Sequence, residues 1–248
     1  MLLSVECVEK SYRKGGLFSR KREPVLKNIS FECKPGECLG IIGESGSGKS
    51  TLGRLLLGIE KPDRGTILFA GKKVENRKVR AGNLSAVFQD YTSSIHPFYT
   101  VEEAILEPLQ MKRKAREDAR SQIDPLLSQV GLDPSYRKKY PHELSGGEVQ
   151  RVCIARAVST EPTCILFDEA ISSLDGSVQM QVLELLKNLR KRYDMGYIFI
   201  THDIQAAAYL CDRVMIIRKG EIEEIVAVEQ LKDVQSVYTQ KLLQMVIA

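Results

Sequence analysis

GESGSGKST, residues 43–51, is the stretch on which the fold turns. It follows an apolar run, CLGII (38–42), and precedes LGRLLLGI (52–59), which continues as a helix. A buried strand, a Gly-rich loop and a helix in that order are the setting that gives G-x-x-x-x-G-K-S its meaning as a P-loop. Gly43, Gly46 and Gly48 let the backbone bend tightly and turn several N–H groups inward, where Glu44, Ser45 and Ser47 complete the cradle for phosphate oxygens. The helix that starts here adds the positive end of its dipole. Lys49 brings a full charge for the β- and γ-phosphates. Ser50 offers a hydroxyl to Mg²⁺, and Thr51 closes the loop. A Gly/Ser-rich turn that contains a lysine by chance does not need the flanking strand and helix. The chain is therefore expected to bind a nucleoside triphosphate.

The composition bounds what that binding drives. The chain has 248 residues, 43% of them hydrophobic and 27% charged, in the ordinary range for a folded globular protein. It is long enough to bury a large core without disulfides or structural metal. A net charge of +4 makes no electrostatic case for nucleic acid, and none is expected as a partner. Six cysteines, at 7, 33, 38, 153, 164 and 211, form no C-x-x-C pair and read as reduced core thiols. The N-terminal MLLSVECVEK carries charge too early for a signal peptide. No stretch approaches the roughly 18 apolar residues of a membrane span, so a membrane role has to work through a partner.

Taken in order, LLSVECVE (2–9) alternates as a strand. GGLFSRKREP (15–24) reads as a loop between two strands, and Val25 to Cys33 as the second of them. After the P-loop unit come short strands at 66–70 and 86–88, the latter running into Gln89. Between about 91 and 140 the pattern turns helical. Val101, Ala104, Ile105 and Leu109 fall at helical spacing, and Pro108 predicts a break there. KRKAREDAR (112–120) reads as a solvated helix face. A helix over 123–130 is stopped by Gly131, and another covers 146–159. Buried strands at 163–167 and 196–201 alternate with helices at 177–192 and 204–211. A hairpin over 213–226 and a weak terminal helix follow. Strands alternating with helices predict an α/β fold with a mostly parallel core sheet.

Three polar points fall at the ends of buried strands, where an open parallel sheet binds its ligands. Asp168, after CILF (164–167), has the Walker-B position, in which a carboxylate holds Mg²⁺. Glu169, one residue on, is placed to polarise an attacking water. Gln89 is an uncharged group for the metal and the water, and the His202 imidazole suits the γ-phosphate. A second helix start, LSGGE (144–148), offers Ser145, Gly146, Gly147 and Glu148 with their free N–H groups. One triphosphate already has its P-loop, so a second phosphate-binding helix start points to a nucleotide held by another molecule.

With these motifs the sequence resembles the ATPase subunit of an ATP-binding cassette (ABC) transporter over essentially its whole length. LSGGE resembles the family signature, GESGSGKST its Walker A and CILFDE its Walker B. ISSLD (171–175) is similar to the D-loop, with Ser173 where Ala is usual. Gln89 matches the Q-loop glutamine, His202 the switch histidine and Tyr12 the aromatic residue that stacks on adenine. The resemblance implies one cassette over 1–248, with a nucleotide-binding core at 1–89 and 160–248. An N-terminal antiparallel β subdomain and an α-helical subdomain inserted at about 90–159 complete it. ATP and Mg²⁺ are implied as ligands, with Ser50, Gln89 and Asp168 around the metal. Glu169 is implied as general base, with His202 at the γ-phosphate and Asp175 crossing to a second cassette. Two cassettes, identical or not, are implied to pair head to tail, and ATP to close them. Transmembrane permease subunits would receive the motion at the cytoplasmic face of the membrane. A substrate-binding protein is an indirect partner.

Finer features resemble the importers of dipeptides, oligopeptides and nickel: GGLFSRK (15–21), QDYTSSIHPFYTV (89–101), the EPL at 107–109 and YPHE (140–143). His96 stands where that group has Asn and Phe98 where Arg is common. The chain ends at Ala248 without the cysteine-containing extension of many peptide-importer ATPases, which favours the nickel or metal-chelate branch. An exporter cassette is the alternative, against which the importer-like loops count. A soluble cassette acting on ribosomes or DNA is a further one. Such chains carry two cassettes or long coiled coils, and neither pattern is present.

Overall fold

The computed structural model describes residues 1–13, 22–90, 94–111 and 116–247, and it divides into two compact units. The first comprises Met1–Arg80 and Ile198–Ala248, the second Ala81–Tyr197. The strands in chain order are β1 (Leu3–Arg13), β2 (Arg22–Cys33), β3 (Cys38–Ile42), β4 (Arg64–Phe69) and β5 (Lys72–Lys73). They continue with β6 (Leu84–Phe88), β7 (Cys164–Asp168), β8 (Gly196–Thr201), β9 (Arg213–Arg218) and β10 (Glu221–Ala227).

In the first unit β1 and β4 are the inner strands of an antiparallel sheet in the order β2-β1-β4-β5. Its pairing with β2 runs on to Arg22, with Ser11 opposite Pro24 and Tyr12 opposite Glu23. The segment expected to be loop over 15–24 is thus strand at its last three residues. Partners on β1 and an ion pair from Arg22 to Asp63 at 3.1 Å draw them into the sheet. The earlier residues of that segment lie outside those described, as do 91–93 of the importer-like loop and the first four of KRKAREDAR. The remainder of that run contributes to a helix, Arg116–Ser121.

The same unit holds a second sheet. β3 pairs parallel with β9, from Leu39 opposite Arg213 to Ile42 opposite Ile216. β9 turns back antiparallel into β10, and residues 198–201 of β8 lie beside β3. All five residues of β3 are buried, as a strand covered on both faces requires. The helix after the P-loop is Lys49–Leu56, shorter than the run to Ile59. Leu57 caps it, and Gly58, at φ 60°, turns the chain away.

The β9–β10 turn at Lys219 and Gly220 braces the P-loop. Both residues have positive φ, 50° and 82°. The Gly220 N–H donates to the Ser47 carbonyl at 3.0 Å, and its own carbonyl accepts from Lys27 N at 2.8 Å. A Cβ at Gly220 would lie 2.2 Å from the Val25 carbonyl oxygen, a backbone atom that cannot swing aside. Gly220→Ala is therefore expected to cost about 1–3 kcal/mol in urea unfolding and to loosen the phosphate loop with it.

The second unit pairs β6 parallel with β7, from Leu84 opposite Cys164 to Phe88 opposite Asp168. Its helices are Val101–Met111, Arg116–Ser121, Ile123–Gln129, Gly146–Val158 and Gly176–Tyr193. Pro108 does not break the first of these, contrary to the sequence expectation. It sits in the last turn, where one lost backbone bond is offset by burial of Ile105, Leu106 and Leu109, each worth about 1.5–3 kcal/mol. Two 3-10 turns, Pro134–Lys138 and Pro141–Glu143, lead into the 146–158 helix and carry no apolar period that would announce them. Five of the six cysteines are buried, and none is in a disulfide. Burial pushes the Cys153 thiol up to about 12, which makes it an inert core group, whereas Cys7 is exposed on β1.

Candidate functional site

The first unit carries Tyr12, the phosphate loop and His202. Gly43 leaves β3 at φ 156°, and a Cβ there would fall 2.2 Å from the Ile217 carbonyl oxygen. Only glycine lets the loop start this close to β9. The chain then folds back over Lys49, which is 6% exposed. Its ammonium donates to the carbonyls of Gly43 at 2.7 Å and Glu44 at 3.0 Å. A buried ammonium is costly unless it is bonded, so the loop wraps its own carbonyls around the charge. Gly48, at φ 107°, is the N-cap of Lys49–Leu56, and no acidic side chain occupies the first turn. The helix start is left to an external anion. The Ser47 hydroxyl is buried and has no hydrogen-bond partner, a polar atom that a phosphate oxygen would satisfy. Thr51 is buried, and Glu44 and Ser45 are exposed at the loop's outer edge. His202 is exposed directly after β8. Asp203 caps the following helix, Ile204–Leu210, by accepting from Ala206 N at 3.0 Å.

The second unit carries Gln89, Asp168, Glu169, the 144–148 stretch and Asp175. The register of β6 on β7 ends with Phe88 opposite Asp168, so Gln89 and Glu169 emerge side by side from adjacent strand ends. Glu169 has φ 51°, in the left-handed region that a non-glycine residue enters at a cost. Ser172 secures it there: its N–H donates to the Glu169 carbonyl at 3.2 Å and its hydroxyl to the same oxygen at 2.8 Å. In the second unit the amide oxygen of Gln89 and the carboxylate of Asp168 stand at adjacent strand ends and are oxygen donors of the kind that suits a hard cation which keeps several waters. In the first unit the Ser50 hydroxyl is half-buried.

Ser145 begins the helix Gly146–Val158 and is exposed. Its N–H and its hydroxyl both donate to Glu148 Oε2, at 2.7 and 2.8 Å. The other Glu148 oxygen accepts a short hydrogen bond from the Tyr136 hydroxyl. The bond from Tyr136, then those from Ser145, hold the Glu148 carboxyl below its ordinary value. It is therefore ionised at neutral pH, and the clamp loosens only as pH falls through that lowered value. Asp175, exposed, is the N-cap of Gly176–Tyr193. A cavity of about 350 Å³ brings Ser145, Gly146 and Gly147 together with Ser173, Asp175 and Val178. Nothing in the sequence signals Tyr136 as the support of Glu148, because the contact spans twelve residues across an irregular turn.

The ABC transporter family model matches residues 26–172. The ATP-binding protein of the metal-staphylopine import system of Staphylococcus aureus is 51% identical over 244 residues, 98% of each chain. The nickel import ATP-binding protein of Rhodospirillum rubrum is 42% identical over 90% of this chain and 83% of its own. The oligopeptide transport ATP-binding protein of Bacillus subtilis is 40% identical over 93% and 73%. Among solved structures, the dimeric post-hydrolysis state of the cassette MJ0796 bound to ADP and Pi superimposes with a TM-score of 0.82. It is 30% identical and covers 91% of this chain and 98% of that one. A cassette of the Clostridium perfringens cbiONQ transporter complex gives 0.80 at 27% identity and 98% coverage of both chains.

Proposed function

Because the chain belongs to the ABC transporter family, as the ATP-hydrolysing subunit of an importer, we propose that it drives uptake of a metal–chelate complex. The full-length match to the metal-staphylopine import subunit, at 51% identity, carries the choice of cargo. The nickel and oligopeptide relatives are more distant and share less of their length.

The triphosphate lies in the loop 43–51, with Lys49 neutralising β- and γ-oxygens and the Tyr12 ring against adenine. Ser50, Gln89 and Asp168 would hold Mg²⁺, which would supply positive charge against the charge that builds as the γ-phosphoryl leaves. Glu169 takes the proton of the attacking water, and Gln89 orients that water. His202 steadies the γ-phosphate. The site is half of one. Ser145, Gly146 and Gly147 of a second cassette, clamped by its Glu148, seal the phosphates, and Asp175 crosses the same interface. ATP therefore favours the closed pair and hydrolysis releases it, a population shift set by differential affinity.

The helical segment at about 90–159, inserted between the two parts of the core at 1–89 and 160–248, passes that movement to permease subunits at the cytoplasmic face of the membrane. No helix among the described residues is long and apolar enough to cross it. His96 and Phe98, the latter 80% exposed, are the positions that set permease pairing. A substrate-binding protein delivers the cargo. Cells deprived of this chain are expected to lose uptake of a radioactive transition metal offered as its chelate and to regain it with the intact gene. Undiminished chelate uptake with loss of peptide uptake would reassign the cargo.

A further inference from the structure

Tyr12 lies near the end of β1, and its hydroxyl is not idle. It donates to Glu60 Oε2 at 2.6 Å. The other Glu60 oxygen accepts from Arg54 Nε at 2.7 Å. Arg54 occupies the last turn of the helix that starts at Lys49, and its Nη2 reaches Thr51 Oγ1 at 3.3 Å and the Tyr12 oxygen at 3.5 Å. Lys10 closes the cluster, its Nζ 3.4 Å from Glu60 and 5.5 Å from the centre of the Tyr12 ring. The backbone fixes Glu60 as well: the N–H groups of Ile59 and Glu60 both donate to the Arg54 carbonyl. Four side chains thus form a continuous path from an aromatic ring on β1 to the final residue of the phosphate loop.

We infer that Glu60 and Arg54 are positioning residues, which hold the Tyr12 ring at a set place relative to the phosphate loop so that a planar base can stack on it. The inference rests on the reading of Tyr12 as the base platform. A tyrosine on a strand end is otherwise free to turn about two side-chain bonds. A ligand that stacks on it must then freeze that motion, which weakens binding by about two- to tenfold per immobilised side chain. Anchoring the hydroxyl removes the motion beforehand and leaves the ring face to the ligand. Both ends of the anchor serve one nucleotide, because the helix that carries Arg54 begins at the phosphates. The anchor also needs an ionised acceptor. Partial burial pushes the Glu60 carboxyl up, but hydrogen bonds from Tyr12 and Arg54 outweigh it and hold the group below its ordinary value. Glu60 is therefore a carboxylate at neutral pH and accepts from both.

Binding of ATP and of inorganic tripolyphosphate to the purified chain separates the possibilities, with Tyr12→Ala, Tyr12→Phe and Glu60→Gln as variants. Tyr12→Phe keeps the ring and loses only the anchor, and it disturbs packing least. Both Tyr12→Phe and Glu60→Gln are expected to weaken ATP by about two- to tenfold and to leave tripolyphosphate unchanged. Tyr12→Ala should weaken ATP further, again without touching tripolyphosphate. If Tyr12→Ala binds ATP like the parent, the base-platform reading fails and takes the inference with it. If Tyr12→Ala weakens ATP while Tyr12→Phe and Glu60→Gln do not, Tyr12 stacks without help and only the anchoring is overturned. Equal losses for ATP and tripolyphosphate would mean that the cluster supports the fold alone, which also overturns it.

Discussion

Glu169→Gln is expected to bind ATP as tightly as the parent chain and to hydrolyse it at least about a hundredfold more slowly. The substitution keeps size and hydrogen-bonding reach and removes the one property a general base needs. Binding should survive because Lys49 and the loop 43–51 belong to other elements and stay as they are. The backbone at Glu169 is already held at φ 51° by Ser172, so glutamine inherits the same backbone conformation. Single-turnover hydrolysis alongside a nucleotide-binding titration reads both quantities. Near-normal turnover would take the base role away from Glu169.

Ser145→Arg is expected to abolish hydrolysis in the assembled transporter while each chain still loads ATP. Ser145 is exposed at a helix start, and its hydroxyl already serves Glu148, so the new side chain has no path inward. It must project from the surface that a second cassette would meet, with the bulk of a guanidinium where phosphates should be sealed. The magnitude follows from geometry: a site completed in trans loses its donors and its closure together, and an oxyanion donor alone is worth about 10²–10³ in rate. ATPase activity of the reconstituted transporter measures it. Unchanged activity would mean that the site is complete within one chain.

Much of this was legible because the informative signals are local. GESGSGKST needs only its own residues and the strand before it, and β3, β7 and β8 are apolar runs that could only be buried. Tertiary contacts decided the rest. Pro108 reads as a breaker by itself, yet it is kept in a helix by the burial of Ile105 and Leu109. Arg22, Glu23 and Pro24 read as loop until β1 is there to pair with them. The left-handed backbone at Glu169 is invisible in a sequence, since no residue type announces it. The anchor on Tyr12 joins residues 48 apart, and Arg54 and Glu60 belong to no spacing pattern that would have singled them out. The phosphate chemistry was therefore readable as a motif, whereas its supports were readable only as contacts.

Residues 43–51 are proposed as half of a site which a second cassette completes. Sedimentation of the Glu169→Gln chain, alone and mixed with any second cassette recovered with it, measures that pairing. ATP with Mg²⁺ is predicted to double the sedimenting mass, ADP to leave it unchanged, and Ser145→Arg to prevent the doubling. A chain that binds ATP to saturation and keeps the mass of a single cassette under both conditions would mean that no second cassette completes the site.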